Sequence, residues 1–229
     1  MNYIVLNGAR STSVKGLLIQ SLPPITKPEI RTSVEEIDGR DGDIVTKLGY
    51  AAYDKELSIG LYGDYDIDDV IKYFDSSGEV VFSNEPDKYY RYEITDQIDF
   101  ERLIRFRTAN VKMHVQPFKY SAVEGIVTKT ASGGIITNHG NIISHPTITI
   151  CGSGNVEIGL NGTDILSITI PESGTITIDS NAIEAYNESG LQNRKVTGNM
   201  DFGFAVGSNT ITWNGNVEKI EISKYSRWI

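Results

Sequence analysis

The stretch Glu29–Gly63, EIRTSVEEIDGRDGDIVTKLGYAAYDKELSIGLYG, decides the reading of this chain. In its first run Ile30, Thr32 and Val34 share one parity, while Arg31, Ser33 and Glu35 share the other. In its last run Leu57, Ile59 and Leu61 alternate with Glu56, Ser58 and Gly60. Successive strand side chains point to opposite faces, so a period of two predicts strands with one buried face. Between the runs lies Asp38-Gly39-Arg40-Asp41-Gly42, charged and glycine-rich. Gly39 and Gly42 lack a Cβ and reach positive φ without a clash, which suits a tight reversal. The expectation is one long hairpin with a polar, exposed tip.

Outward from that hairpin, the N-terminal side carries two short apolar segments. Tyr3–Leu6 is broken by Asn7-Gly8, and Val14–Leu22 is stopped by Pro23-Pro24. Proline fixes φ and removes a ladder donor, so the chain leaves the sheet there. On the C-terminal side one helix is predicted, because Ile67, Val70, Ile71 and Phe74 fall at i, i+3, i+4 and i+7. Asp64 or Asp66 caps its start, and Gly78 ends it. Asp66, Asp68 and Asp69 lack the glycine and the final glutamate of a calcium loop, so they read as a solvated helix start. Strands resume at Glu79–Ser83, Lys88–Thr95 and Asn110–Tyr120. Between the last two, Ile98 and Phe100 alternate but Leu103-Ile104 breaks phase, which predicts a bulge near Arg102.

Composition then shifts. Residues 1–121 hold 35 charged side chains and residues 122–229 hold 16, the second half being rich in Thr, Ile, Gly, Asn and Ser. Such a step marks a domain boundary, so we divide the chain into 1–121 and 122–229. In the second half Ile148/Ile150, Val156/Ile158/Leu160, Leu166/Ile168/Ile170 and Ile176/Ile178 alternate. Gly152-Ser153-Gly154, Asn161-Gly162 and Pro171-Glu172-Ser173-Gly174 separate them, and Asn214-Gly215 divides a last pair, Asn209–Trp213 and Val217–Ser223. Many short strands with Gly and Asn turns predict a β-sandwich or jelly roll.

The bulk properties exclude several classes. At 229 residues, 39% hydrophobic and 22% charged, the composition is that of a folded globular chain. No run approaches the ~18 apolar residues that cross a bilayer, and MNYIVLNGARS lacks the basic start and apolar core of a secretory leader. The expectation is therefore no membrane insertion. The net charge of −9 disfavours a grip on nucleic acid, and the densest basic group, Arg102, Arg105 and Arg107, lies beside Asp99 and Glu101. A lone Cys151 supplies neither an intrachain disulfide nor a thiolate cluster.

Chemistry-bearing motifs are lacking. His114, His139 and His145 have no partners at metal-ligand offsets, and no nucleophile-elbow, phosphate-loop, dinucleotide or zinc-protease motif occurs. Asp201-Phe202-Gly203 matches a kinase triplet only in letters. Of the close carboxylate pairs, Glu35-Glu36 points to opposite strand faces, Asp68-Asp69 opens the helix, and Asp41/Asp43 sit at a turn. The expectation is no enzyme, no metal and no cofactor. Aromatic rings in the second half leave one alternative open, a saccharide platform made by Tyr186, Trp213 and Trp228; against it, tryptophans commonly fill a sandwich core.

The run IDGRDGDIV followed by LGYAAYDKELSIGLYG resembles the N-terminal region of the distal tail proteins of long, flexible-tailed phages. SHPTITICGSGNVEIGLNG, AYNESGLQNRKVTGNMDFGFAVGSNTITWNG and VEKIEISKYSRW resemble the C-terminal domain of the same family. The resemblance implies a mostly β fold: a ring-forming sandwich or barrel-like N-terminal domain with one short helix and a long hairpin, then a galectin-like jelly roll. It implies a homo-hexameric ring at the distal end of the virion tail, assembled in the host bacterial cytoplasm. Such a ring joins the tail tube to baseplate proteins and lets the tape measure protein and then DNA pass without sequence-specific binding. Asp38, Gly39, Arg40, Asp41 and Gly42 are then the expected inter-subunit contact, and Tyr186, Trp213 and Trp228 the saccharide contact of the alternative reading, a carbohydrate-binding module on the host surface.

Overall fold

The computed structural model describes residues 1–170 and 174–229. The chain divides into two compact units, Met1–Ala122 with Ile229, and Val123–Trp228. It is mostly β, with curled sheets and two short helices.

The first unit runs β1 (Ile4–Leu6), β2 (Ala9–Arg10), β3 (Leu17–Ser21), β4 (Ile30–Glu36), β5 (Asp43–Tyr50), β6 (Tyr53–Leu61), α1 (Ile67–Phe74), β7 (Ser77–Phe82), β8 (Lys88–Glu93), α2 (Phe100–Phe106) and β9 (Thr108–Ser121). Its main sheet has the order β2-β1-β7-β8-β9-β6-β3. The alternation read from sequence sets the faces. Leu57, Ile59 and Leu61 of β6 and Ala109, Val111, Met113 and Val115 of β9 are buried, while Asn110, Lys112 and His114 are exposed. Val70 and Phe74 of α1 and Leu103 of α2 complete this core. Each such Val, Leu, Ile, Met or Phe side chain contributes about 1.5–3 kcal/mol by leaving water.

Four expectations for this unit change. Asn7-Gly8 is not only a break: φ of 49° and 83° make it the two-residue turn of the β1–β2 hairpin, with Leu6 opposite Ala9. The helix α1 is capped by Asp66, whose Oδ1 accepts from Asp68 N at 2.9 Å, but it ends at Phe74 because Ser77 already enters β7. The phase break at Leu103-Ile104 is a second helix rather than a bulge. There Asp99 Oδ1 accepts from Arg102 N at 2.8 Å, and Arg107 closes the helix in the left-handed region. Finally, the long hairpin is shorter than Glu29–Gly63. β4 pairs β5 in a two-stranded sheet of its own, whereas β6, the run with Leu57, Ile59 and Leu61, joins the main sheet between β9 and β3.

The second unit runs β10 (Val127–Lys129), β11 (Gly134–Asn138), β12 (Thr147–Leu160), β13 (Thr163–Asp179), β14 (Glu184–Asn187), β15 (Gly190–Leu191), β16 (Val196–Gly198), β17 (Gly207–Ser223) and β18 (Arg227–Trp228). Its sheet has the order β10-β17-β12-β13-β14-β15, with β11 also on β17 and β16 also on β13. The alternating isoleucines all turn into one core. Two of the expected turns are not turns. β12 and β17 run through Gly152–Gly154 and Asn214–Asn216 with register shifts, so these segments are bulges that curl a long strand. Glycine is required at Gly152, since a Cβ there would lie 2.2 Å from the Asn216 carbonyl oxygen. Asn161-Gly162, with φ of 53° and 83°, is a true hairpin turn. The turn expected at Pro171–Gly174 falls on 171–173, outside the described residues.

Candidate functional site: an exposed hairpin arm and its root

The β4–β5 hairpin is an arm. Seven cross-strand pairs run from Ile30/Tyr50 to Glu36/Asp43, with one irregularity at Arg31/Thr32. At ~3.3 Å per residue this is roughly 20 Å of ribbon before the tip. Asp38, Gly39, Arg40, Asp41 and Gly42 all lie exposed at that tip. Gly39 and Gly42 take φ of +80° and +79°, and Arg40 N donates to Ile37 O at 3.1 Å. The period of two is present, but its apolar face is not buried: Val34 is 56% exposed and its cross-strand partner Val45 58%. A two-stranded ribbon has no second layer on which to bury that face, and alone it is marginal in water.

The root is built differently. Ala51 N closes it on Glu29 O at 2.8 Å, and the Tyr50 ring meets Phe118 edge-on at 5.5 Å. The strap Pro23–Pro28 feeds the arm. Its prolines offer no donors to a ladder, and side chains of the body donate to its carbonyls instead. Asn84 Nδ2 donates to Pro23 O at 3.1 Å, Lys55 Nζ to Pro24 O at 2.8 Å and the Tyr53 hydroxyl to Thr26 O at 3.5 Å.

Lys55 is buried, with its ammonium over the Tyr90 ring at 4.9 Å and the Tyr53 ring at 5.4 Å. Burial brings its pKa down to about 8; Glu85 works against that and Lys119 with it. Glu85 in turn accepts from Lys119 Nζ and from the Tyr90 hydroxyl, both at 2.8 Å. Burial, reinforced by the Glu85 contact, pushes the Tyr90 phenol far up. This root was not read from the sequence, yet a signal existed: Lys55 shares the parity of Leu57, Ile59 and Leu61 and so had to face the core.

A second polar cluster pairs two carboxylates with cations. Lys112 Nζ bridges Asp54 at 2.9 Å and Asp96 at 3.0 Å, and His114 Nδ1 lies 2.8 Å from Asp54. The His114 and Lys112 contacts hold the Asp54 carboxyl below its usual range. Among the described residues no group of three or more His, Cys, Asp or Glu could hold a metal ion, and no helix is long and apolar enough to cross a membrane.

The three rings of the saccharide alternative lie on three different strands. Tyr186 is exposed on β14, whereas Trp213 on β17 is half-buried against the second core and Trp228 is half-buried in β18. The register row of Tyr186 passes through Thr177 and Thr149 and meets β17 at Glu221. Trp213 lies on the far side of the Asn214–Asn216 bulge from that row and is opposite Ile158.

Residues 11–115 match the family model of the phage tail protein RIFT-related domain. No curated protein matches the chain. Among solved structures, that of Dit (gp 19.1) of phage SPP1, described as a paradigm of the hub adsorption apparatus in phages infecting Gram-positive hosts, is 18% identical. The match covers 97% of each chain with a TM-score of 0.65. The phage P2 baseplate in its activated conformation with Ca matches at 10% identity, 97% coverage of each chain and a TM-score of 0.53. Residues 11–115 of the first unit are thus similar to the phage tail protein RIFT-related domain. The chain as a whole carries the fold of a long-tailed phage's distal tail protein, bearing out the resemblance read in its sequence, and its similarity is to structural components of the tail and baseplate.

Proposed function

We propose that this chain is the distal tail hub of a long-tailed phage, closing as a homo-hexameric ring. Residues 1–121 form the ring, with the tail tube protein on one side and baseplate proteins on the other. Residues 122–229 form a galectin-like outer domain. The tape measure protein and then DNA pass through the lumen without sequence-specific contacts. The protein is assembled in the host cytoplasm, resides at the distal end of the virion tail, and acts structurally rather than as an enzyme.

The observation that carries this reading is the arm. A ribbon some 20 Å long with an exposed valine pair and a charged tip has nothing to pack on within its own sheet. A ring of identical subunits supplies the missing layer, since each arm meets the same patch on the next copy around a closed rotation. Asp38–Gly42 ride at the end of that contact. The net charge of −9 fits a ring that DNA slides past.

Native mass spectrometry with negative-stain imaging over a range of concentrations tests the reading. Six-fold rings with an open lumen are the expected result. A chain that stays monomeric both alone and with its tail tube protein would overturn it.

A further inference from the structure

We infer that helix α2 of one copy is the seat for the β4–β5 arm of the next, an inference that rests on the hub reading above. Two exposed surfaces of the first unit carry opposite charge around an apolar centre. On the arm, directly opposed residues share a face, so Val34 and Val45 form a pair flanked on the tip side by Glu36 and Asp43. From Glu29 to Tyr50 the arm holds Glu29, Glu35, Glu36, Asp38, Asp41 and Asp43 against Arg31, Arg40 and Lys47, an acidic ribbon.

On α2, Leu103 turns into the core, which places Arg102 and Phe106 together on one flank at i, i+4. Phe106 is 70% exposed, the most exposed aromatic ring among the described residues. Arg105 is engaged by Glu101 at 2.7 Å, and the Arg107 guanidinium lies over the Tyr65 ring at 4.8 Å. Arg102 is exposed and enters no ion pair among the described residues, which leaves its charge available. An exposed aromatic ring beside a free arginine is the composition of an interface anchor.

The two surfaces do not meet within one copy, because the valines and Phe106 all remain exposed. Between copies they complement each other: Phe106 packs on Val34 and Val45, and Arg102 faces Glu36 and Asp43. The arm's reach of roughly 20 Å exceeds the width of a helix, so it can lie across α2 of a neighbour.

The test replaces Val45 with a photo-crosslinking phenylalanine analogue in the full chain, using copies of heavy and light nitrogen mixed before irradiation. The expected result is a heavy–light crosslink between the arm and residues 100–107. Charge reversal, Arg102→Glu, lowers its yield about tenfold, and Glu36→Arg in the same chain recovers most of it. Intermolecular crosslinks that map elsewhere overturn the α2 seat while upholding an arm between copies. Absence of any intermolecular crosslink overturns both the seat and the arm's role in closing the ring.

Discussion

Lys55 Nζ donates to the carbonyl oxygen of Pro24 across 2.8 Å, from a position only 3% exposed. Burying an ammonium costs free energy unless it is hydrogen-bonded, and this one points its proton at a carbonyl of the strap. It holds the strap from which the arm leaves the body, beside donors from Asn84 and Tyr53. The cost falls on the first unit. Burial lowers the Lys55 pKa to about 8, below its unfolded value of 10.5. Between those values the unfolded chain keeps a proton that the folded chain has lost, so stability rises with pH across that window. Raising the pH from about 7 to about 9.5 is expected to stabilise the wild type by about 2 kcal/mol relative to Lys55→Met, read from urea unfolding of both. The tyrosines whose phenols burial raises, Tyr53, Tyr73, Tyr90 and Tyr92, act in the opposite direction only above about pH 10, which keeps the window clean.

The arm and the body respond oppositely to loss of a valine. Val34→Ser with Val45→Ser is expected to change the unfolding free energy by less than about 0.5 kcal/mol, since both side chains are already largely in water. Val111→Ala, in the fully buried centre of β9, is expected to cost about 2–3 kcal/mol through lost transfer energy and the cavity left behind. Thermal melts of the two variants check the contrast. Native mass spectra check its complement: the serine pair weakens association of copies, and Val111→Ala does so only where it unfolds the chain.

How far the sequence could be read follows from what each signal measures. Alternation at Leu57, Ile59 and Leu61 and at Val111, Met113 and Val115 reports a half-buried strand, and there the faces came out as read. Alternation at Ile30, Thr32 and Val34 looks the same in letters, yet that ribbon buries neither face, because burial depends on a second layer that no local period encodes. Gly152–Gly154 and Asn214-Gly215 have the composition of turns, but a bulge needs the same small residues, and only strand pairing separates a chain that reverses from one that curls. Helix α2 was lost for a related reason: FERLIRF is too short for its period to outweigh the strands around it. The tip residues Asp38–Gly42 were legible from turn chemistry alone. The root was not, since Pro24 and Lys55 meet only through the third dimension.

Gly152 and Gly154 separate steric space from backbone strain. A methyl on Gly152 would stand 2.2 Å from the Asn216 carbonyl oxygen, where β12 and β17 close on each other at the bulge. Gly152→Ala is therefore expected to destabilise the second unit by about 2–4 kcal/mol, since neither strand can retreat without breaking pairs on both sides. Gly154 has open space around it but a φ of +74°, so Gly154→Ala carries only the left-handed cost of about 1–2 kcal/mol, and Gly154→Asn less. Denaturation followed by Trp213 and Trp228 fluorescence ranks the three variants.

Glu124 closes the second unit from its first residues to its last. One carboxylate oxygen accepts from Lys224 Nζ at 2.9 Å and from the Ser226 hydroxyl at 2.8 Å, and the other accepts from Ser226 N at 2.9 Å. Burial works to raise the Glu124 pKa, but the Lys224 and Ser226 hydrogen bonds outweigh it and hold the carboxyl below its usual range. A folded pKa below the unfolded one gives stability that is present above the unfolded pKa and lost as pH falls through the folded one. Glu124→Ala is thus expected to cost about 3 kcal/mol at neutral pH, because it leaves the buried Lys224 ammonium with only the Thr137 carbonyl, and it should flatten the acid limb of the pH–stability curve. The double variant Glu124→Ala with Lys224→Met separates two origins of that cost. If the loss comes from an uncompensated charge, the double variant is more stable than Glu124→Ala alone. If it comes from the Ser226 hydrogen bonds, removing the lysine recovers nothing, and Glu124→Gln, which retains one acceptor, is the milder change.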